Sequence, residues 1–261
     1  MAHLLILDAL NLIRRLHAPV VSEQSTTHAQ LIATQQRLQR TVMTILDEVQ
    51  PTHVVAVFDA DAPGWRHRLY PQYKQGRSAM PEALAIGMTA LQDTLWQCGV
   101  DSLLTDEDEA DDLIATLSLQ LTQRQQPVTL ISTDKGFCQL LPRGVAIRDY
   151  FNRRWLDHQF VQQHFGVEPR QLVDFWALTG INGSHIPGVN GIGPKGAQTL
   201  LQRYGSLDQI LSQSAAEDKL LHKVQQHAAA ARLAQTLVRL REDIPLGFNL
   251  RAIRYAPRPL S

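Results

Sequence analysis

Three short apolar runs in the chain end in, or lead directly into, an aspartate: LLILD closes on Asp8, VVAVF leads into Asp59 and TLIST into Asp134. Between the runs lie helical patterns, at about 28–48, 81–98 and 110–124. Strands separated by helices form βαβ units, and these assemble as a mainly parallel sheet covered on both faces. In such a sheet every strand presents its carboxyl end on one edge, where ligands bind. The three aspartates, far apart along the chain, are therefore predicted to converge. One aspartate after a strand often does no more than open a turn. Three in a row point to a site.

The strands are read at Leu4–Leu7, Val54–Phe58, Leu103–Leu104 and Val128–Ile131, with a weaker one at Val145–Arg148. Pro81-Glu82 starts a helix whose apolar face carries Leu84, Met88, Leu91 and Leu95. The fold class is α/β: a mainly parallel central sheet flanked by helices over residues 1–155, then a helical module over 156–261. An alanine-rich helix is read near 219–241. The segment 61–80 fits neither period. Its Pro63, Gly64, Pro71 and Gly76, set among Arg, His, Tyr and Lys, predict a long irregular loop or arch.

A fourth group of acids, Glu109-Ala110-Asp111-Asp112, follows the third strand and opens the helix through Leu113, Leu117 and Leu121. Acids in a first helical turn complement the helix dipole, and Thr105, Asp106 or Asp108 could cap the helix alone. The excess is informative. Glu109 and Asp112 are three residues apart and share a face, where like charges repel by a few tenths of a kcal/mol. A bound divalent cation would turn that repulsion into coordination. A carboxylate set without His or Cys suits Mg²⁺, and the chemistry implied is metal-assisted phosphoryl transfer to water.

Formal net charge is zero, which argues against bulk attraction to nucleic acid. Charge is nonetheless segregated: acids crowd at 106–112 and cations at 66–77. In the stretch 65–77 rings and cations alternate in a way suited to a single strand, with bases stacked and phosphates paired. A second constellation, IPGVNGIGPKGA at 186–197, combines closely spaced glycines with Lys195 ahead of an apolar helix. It is similar to a helix–hairpin–helix, which grips duplex phosphates without reading bases, and spans about 180–204. Cys98 and Cys138 have no CxxC spacing and cannot form a disulfide framework. With neither a signal-peptide pattern nor a long uncharged apolar stretch, a cytoplasmic monomer without membrane contact is expected.

Taken together, YPQYKQGR (70–77), EADD (109–112), STDKGFCQLL (132–141), IPGVNGIGPKGA (186–197) and LVRLREDIPL (237–246) resemble the flap endonuclease family. The likeness is to the 5′ nuclease domain of bacterial DNA polymerase I and, most closely, to the exonuclease IX-type branch. It implies Mg²⁺-dependent hydrolysis of DNA near the junction of a 5′ flap and duplex. Metal ligation is implied at Asp8, Asp59, Glu109, Asp111, Asp112 and Asp134; within this set Asp111, mid-motif at the helix start, is expected to be the most direct ligand. Tyr73, Lys74 and Arg77 match the base of the family's arch, near 61–80, where the tyrosine supports the nucleotide at the cut and the lysine approaches its phosphate. Gly191, Ile192, Gly193, Pro194, Lys195 and Gly196 match the duplex-binding loop. A potassium ion is implied beside it, on backbone oxygens of Leu178, Thr179, Pro187, Val189 and Ile192.

The chain departs from the family at Gly136, Ile181 and Ser184, where the usual pattern has acids of a second metal site. One directly bound Mg²⁺ is therefore expected, with a second held through water and DNA. The vacancies also motivate an alternative, a member that binds branched DNA without cutting it; the intact first set of acids counts against that. A haloacid-dehalogenase-like phosphatase would want Asp-x-Asp after its first strand, where Asp8 is followed by Ala9 and Leu10. A receiver domain would need neither the hairpin nor the helical module.

Overall fold

The structure, a computed structural model, describes residues 2–60, 62–105, 107–214, 218–247 and 249–257. Asp106, one of the candidate helix caps, lies outside the described residues. Six strands form one sheet in the order β3-β2-β1-β4-β5-β6. They are β1 (Leu4–Asp8), β2 (His53–Val57), β3 (Asp101–Leu103), β4 (Val128–Ile131), β5 (Ala146–Asp149) and β6 (Arg154–Trp155). The first five run parallel, with Leu4 opposite both His53 and Val128, and β6 turns back antiparallel on β5. The chain lays β2 and β3 on one side of β1 and then crosses to lay β4 on the other. The boundary between β1 and β4 is the switch point, where crossovers diverge and leave a crevice at the carboxyl ends.

Alternation along β1 divides the interior in two. Leu4 and Ile6 join Val55 and Val57 in a core shared with the helix Ala110–Thr122 and the C-terminal helices. Leu5 and Leu7 join Val54 and Ala56 under the helices Ala9–His17, Thr27–Val49 and Met88–Gln97. Every residue of β1 is buried, as expected of a central parallel strand covered on both faces.

Past β6 the chain is helical. The helices Leu172–Thr179 and Pro194–Tyr204 flank the glycine-rich loop, which makes the predicted helix–hairpin–helix. Beyond Val238 the chain leaves the helix and runs back along the α/β core: Leu240 N donates to Gln139 Oε1 at 3.0 Å, and Thr116 Oγ1 donates to Arg241 O at 3.4 Å. No helix among the described residues is long and apolar enough to cross a membrane.

Five elements differ from expectation. The helix Ala9–His17, which buries Leu12, Ile13 and Leu16, and the short strand β6 were not legible as separate runs. The helix read at 219–241 is two, Lys219–Gln226 and Ala228–Val238, with His227 at the break. The arch segment is not an open loop. It contains the short helix Trp65–Leu69 and folds onto the sheet edge, with Arg66 2% and Tyr73 5% exposed. The helix read at 81–98 is also two, Glu82–Ile86 and Met88–Gln97, broken at Gly87. A β-carbon on Gly87 would stand 2.3 Å from Leu31 Cδ1 and 2.7 Å from the Ala83 carbonyl oxygen, so the long helix Thr27–Val49 rests directly on this backbone.

Gly87→Ala should therefore run against helix propensity. In an open helix the change gains up to about 1 kcal/mol; here overlap with Leu31 and the backbone should destabilise by about 1–3 kcal/mol. Urea unfolding midpoints decide it, and a stabilised variant would show that the two helices are not held apart by this contact.

Candidate metal and nucleic-acid site

Asp8, Asp59, Asp111 and Asp134 line one cavity of about 290 Å³ at the carboxyl edge of the sheet, together with Asn11, Arg14, Lys74, Arg77 and Ser78. Each acid is fixed by the element that carries it. Asp8 is the last residue of β1, and Ser132 Oγ donates to its Oδ2 at 2.7 Å. Asp59 follows β2 and accepts the Ala110 amide on Oδ1 at 2.9 Å, which ties it to the start of the helix Ala110–Thr122. Asp134 follows β4 and accepts from Gly136 N at 2.7 Å. Asn11, which was not anticipated, accepts both the amide and the hydroxyl of Thr133 at 3.1 Å and so orders the loop after β4. Among the described residues no three His, Cys, Asp or Glu side chains close on one point as a ready-made cage. The acids instead ring the cavity, leaving room for water and phosphate oxygens between them.

The electrostatics are those of crowded carboxylates. Burial pushes the Asp8 carboxyl up to about 7; the Ser132 hydrogen bond opposes this, and Asp134 and Asp59 add to it. Asp111 is raised well above the carboxylate range by burial, against the attraction of Lys74 and with the repulsion of Asp134, Asp59 and Asp8. Such a site attracts a hard cation, and its donors are all oxygen.

The outer two acids of the EADD motif do something else. Asp112 is fully buried and faces away from the cavity: its Oδ1 accepts from Arg66 Nη2 at 2.8 Å and from the Arg241 amide at 2.9 Å. Its Oδ2 accepts from Arg66 Nη1 at 2.8 Å and Trp65 Nε1 at 2.9 Å. Glu109 Oε2 accepts from Arg66 Nη1 at 2.7 Å, and Oε1 pairs with Lys74 Nζ at 3.3 Å. Glu109 and Asp112, two of the expected metal ligands, are the acids that Arg66 holds in this structure. The cation that relieves their repulsion is a guanidinium. Arg66 falls in the cationic stretch 66–77, and no pattern in the sequence marks it as buried.

Tyr73 is buried with its hydroxyl 3.3 Å from Glu109 Oε2, and Lys74 Nζ lies 5.0 Å from its ring centre. The tyrosine ring is therefore a floor beneath the lysine rather than an exposed stacking platform. Lys74 has a left-handed backbone, φ 55°, held by its N–H donating to Ser184 O at 2.9 Å. Burial works against its charge, but Asp111 and Glu109 outweigh burial and hold the ammonium above its ordinary range. Arg77 is exposed and faces the cavity. An adjoining cavity of about 470 Å³ shares Lys74, Arg77, Asp111 and Asp134. Gly136, Ile181 and Ser184 line it, so the three positions without acids do meet beside the cluster, near Lys135, Phe165 and Trp176.

In the hairpin, Gly191 takes φ 77°, and Gly193 caps the helix Pro194–Tyr204 without a side-chain bond, leaving amides of its first turn free. The two segments expected to hold potassium are pressed together: a β-carbon on Gly188 would lie 2.6 Å from Leu178 O and 2.4 Å from the Thr179 carbonyl carbon. Leu178 O already accepts the Val189 amide at 2.8 Å, and Val189 O accepts the Ile192 amide at 3.0 Å. Each carbonyl keeps a second lone pair.

Two family models match the chain end to end. Residues 3–166 match the 5′–3′ exonuclease N-terminal resolvase-like domain, and 167–259 the 5′–3′ exonuclease C-terminal SAM fold. The flap endonuclease Xni of Tolumonas auensis is 61% identical over 98% of this chain and 99% of its own length. That of Aeromonas hydrophila is 59% identical over 98% and 97%, and that of Vibrio cholerae 47% over 97% and 96%. Among solved structures, bacteriophage T5 5′-exonuclease with bound zinc superposes with a TM-score of 0.74 at 22% identity, covering 90% of this chain and 89% of that one. A pseudo-enzyme–product complex of the T5 flap endonuclease with DNA and metal ions gives 0.71 at 21%, covering 90% and 88%. At that identity the likeness speaks to the fold.

The acid cluster has a signature in stability. A carboxyl raised to about 7, as at Asp8, keeps in the folded state a proton that the unfolded chain releases. In the presence of chelator, the thermal midpoint should therefore fall as pH rises from about 4 to about 7. Asp8→Asn should flatten that slope and raise the midpoint at alkaline pH by several degrees. A midpoint rising over the same window, read by circular dichroism, would mean that the four acids do not crowd one another.

Proposed function

This chain belongs to the 5′–3′ exonuclease family, and from that premise we infer that the four-aspartate cavity is the centre of a structure-specific 5′-flap endonuclease. The enzyme hydrolyses phosphodiester bonds of DNA near the junction of a single-stranded 5′ arm and duplex. The observation that carries the reading is the convergence of Asp8, Asp59, Asp111 and Asp134 on the switch-point edge, beside the cations Lys74 and Arg77.

The donor set fits a divalent metal, and its hardness and lack of His or Cys favour Mg²⁺. A bound ion would lower the charge on the scissile phosphate and make water a better nucleophile. In this reading Asp111 and Asp134, which border both cavities, hold the ion together with Asp8 and Asp59. Lys74 and Arg77 draw the scissile phosphate into the cavity, and Tyr73 supports the lysine from below. With Gly136, Ile181 and Ser184 in the adjoining cavity, a second ion would take its remaining ligands from water and DNA. Gly191–Gly196 grips duplex phosphates through free amides and Lys195, without base contacts. The close approach of 178–180 to 187–192 supports a potassium ion on the backbone oxygens of Leu178, Thr179, Pro187, Val189 and Ile192. The protein acts as a monomer, in the cytoplasm.

Cleavage of a 5′-flap duplex should require Mg²⁺ and stop with calcium or chelator while binding persists. Asp111→Asn should lower kcat by at least about a hundredfold with DNA affinity kept. Cleavage that survives chelation, or an unaffected variant, would remove the metal centre from the mechanism. Lys195→Ala should weaken duplex binding and reduce the slope of log affinity against log salt by about one. If affinity is unchanged while turnover collapses, the hairpin has another role.

A further inference from the structure

We propose that Arg66 is a positioning residue for the cleavage reaction, acting through Glu109 on Lys74. The inference rests on the reading of Lys74 as the cation that meets the scissile phosphate. It assigns the outer acids of the EADD motif to a clamp.

Every N–H of the Arg66 guanidinium is donated. Nε goes to Leu237 O at 2.7 Å, Nη1 to Glu109 Oε2 at 2.7 Å and Asp112 Oδ2 at 2.8 Å, and Nη2 to Asp112 Oδ1 and Arg239 O, both at 2.8 Å. Asp112 alone neutralises this buried cation, through a two-pronged pair that is the strongest geometry available to an arginine. Glu109 is surplus to that pairing and has its own direction. While Oε2 is anchored on Arg66, Oε1 reaches Lys74 Nζ at 3.3 Å, and the Tyr73 hydroxyl approaches Oε2 at 3.3 Å. The result is a rigid line from the C-terminal strap, through Arg66 and Glu109, to the ammonium that borders the cavities of Asp111 and Asp134.

A lysine on a flexible four-carbon stem needs such a hold. Its backbone is already fixed in a left-handed turn by Ser184, and Glu109 fixes the other end. Displacing a reacting group by about 1 Å can cost about a hundredfold in rate, so a loose Lys74 would be felt in kcat and not in substrate affinity.

A double-mutant cycle tests the line. On saturating 5′-flap DNA with saturating Mg²⁺, Arg66→Lys should lower kcat about tenfold in the parent background and less than about twofold with Lys74→Ala already present. The unfolding midpoint should shift equally in both backgrounds. Losses in kcat that multiply would make Arg66 structural only and overturn the proposal. If Lys74→Ala alone leaves kcat unchanged, the reading of Lys74 falls, and the proposal with it. Should Arg66→Lys fail to fold, Glu109→Gln enters the same cycle, since it keeps the Arg66–Asp112 pair and removes only the charge that holds Lys74. Its Mg²⁺ concentration for half-maximal rate should stay within about twofold of the parent. A tenfold rise would make Glu109 a metal ligand and end the argument.

Discussion

The buried guanidinium of Arg66 is the interaction on which the rest of the molecule leans. It joins three parts of the chain that are distant in sequence: the arch segment that carries it, the EADD turn, and the strap after Val238. Removing one partner from such a buried pair typically costs about 3–5 kcal/mol, because the other is left charged and dry. The LVRLREDIPL segment takes part in this clamp. Its carbonyls at Leu237 and Arg239 and its amide at Arg241 complete the shells of Arg66 and Asp112. Here the helical module is bound to the nuclease core by polar contacts of defined direction as well as by the continuous apolar core, which fixes how the hairpin stands relative to the four-aspartate cavity.

Around that clamp the charges are sorted into two populations. Glu109 and Asp112 are satisfied inside the protein. Asp8, Asp59, Asp111 and Asp134 instead face the cavity, where burial, with their mutual repulsion, raises the Asp8 and Asp111 carboxyls. A net charge of zero for the whole chain is compatible with DNA binding, because attraction for a polyanion depends on how charge is distributed locally.

At three positions the resemblance to the family implies acids that this chain lacks. Gly136, Ile181 and Ser184 meet in one cavity with Phe165, Trp176 and Lys135. An apolar and cationic wall there disfavours a second strongly hydrated ion held by protein alone. The loop that carries Ile181 and Ser184 also supports Lys74, through the Ser184 carbonyl, so its backbone has a duty that is independent of the missing side chains.

Much of this was legible in the sequence. Period and punctuation gave the parallel strands, and parallel strands oblige Asp8, Asp59 and Asp134 to share an edge. The glycine spacing gave the hairpin. Local pattern also showed that Glu109 and Asp112 share a helix face and need a cation. It could not show which cation, because Arg66 reaches them only through the folded arch, from 43 and 46 residues away. Asp111 stands out from Asp112 in the sequence only by its place in the middle of the motif. Adjacent helical residues point about 100° apart, so one faces the cavity and the other the clamp, and only packing against the strap and the arch decides which. Helix ends at Gly87 and His227 escaped for a similar reason: the sequence sets the preference for a helix, but the side chain of Leu31, pressed against the backbone of Gly87, is a fact of tertiary structure alone.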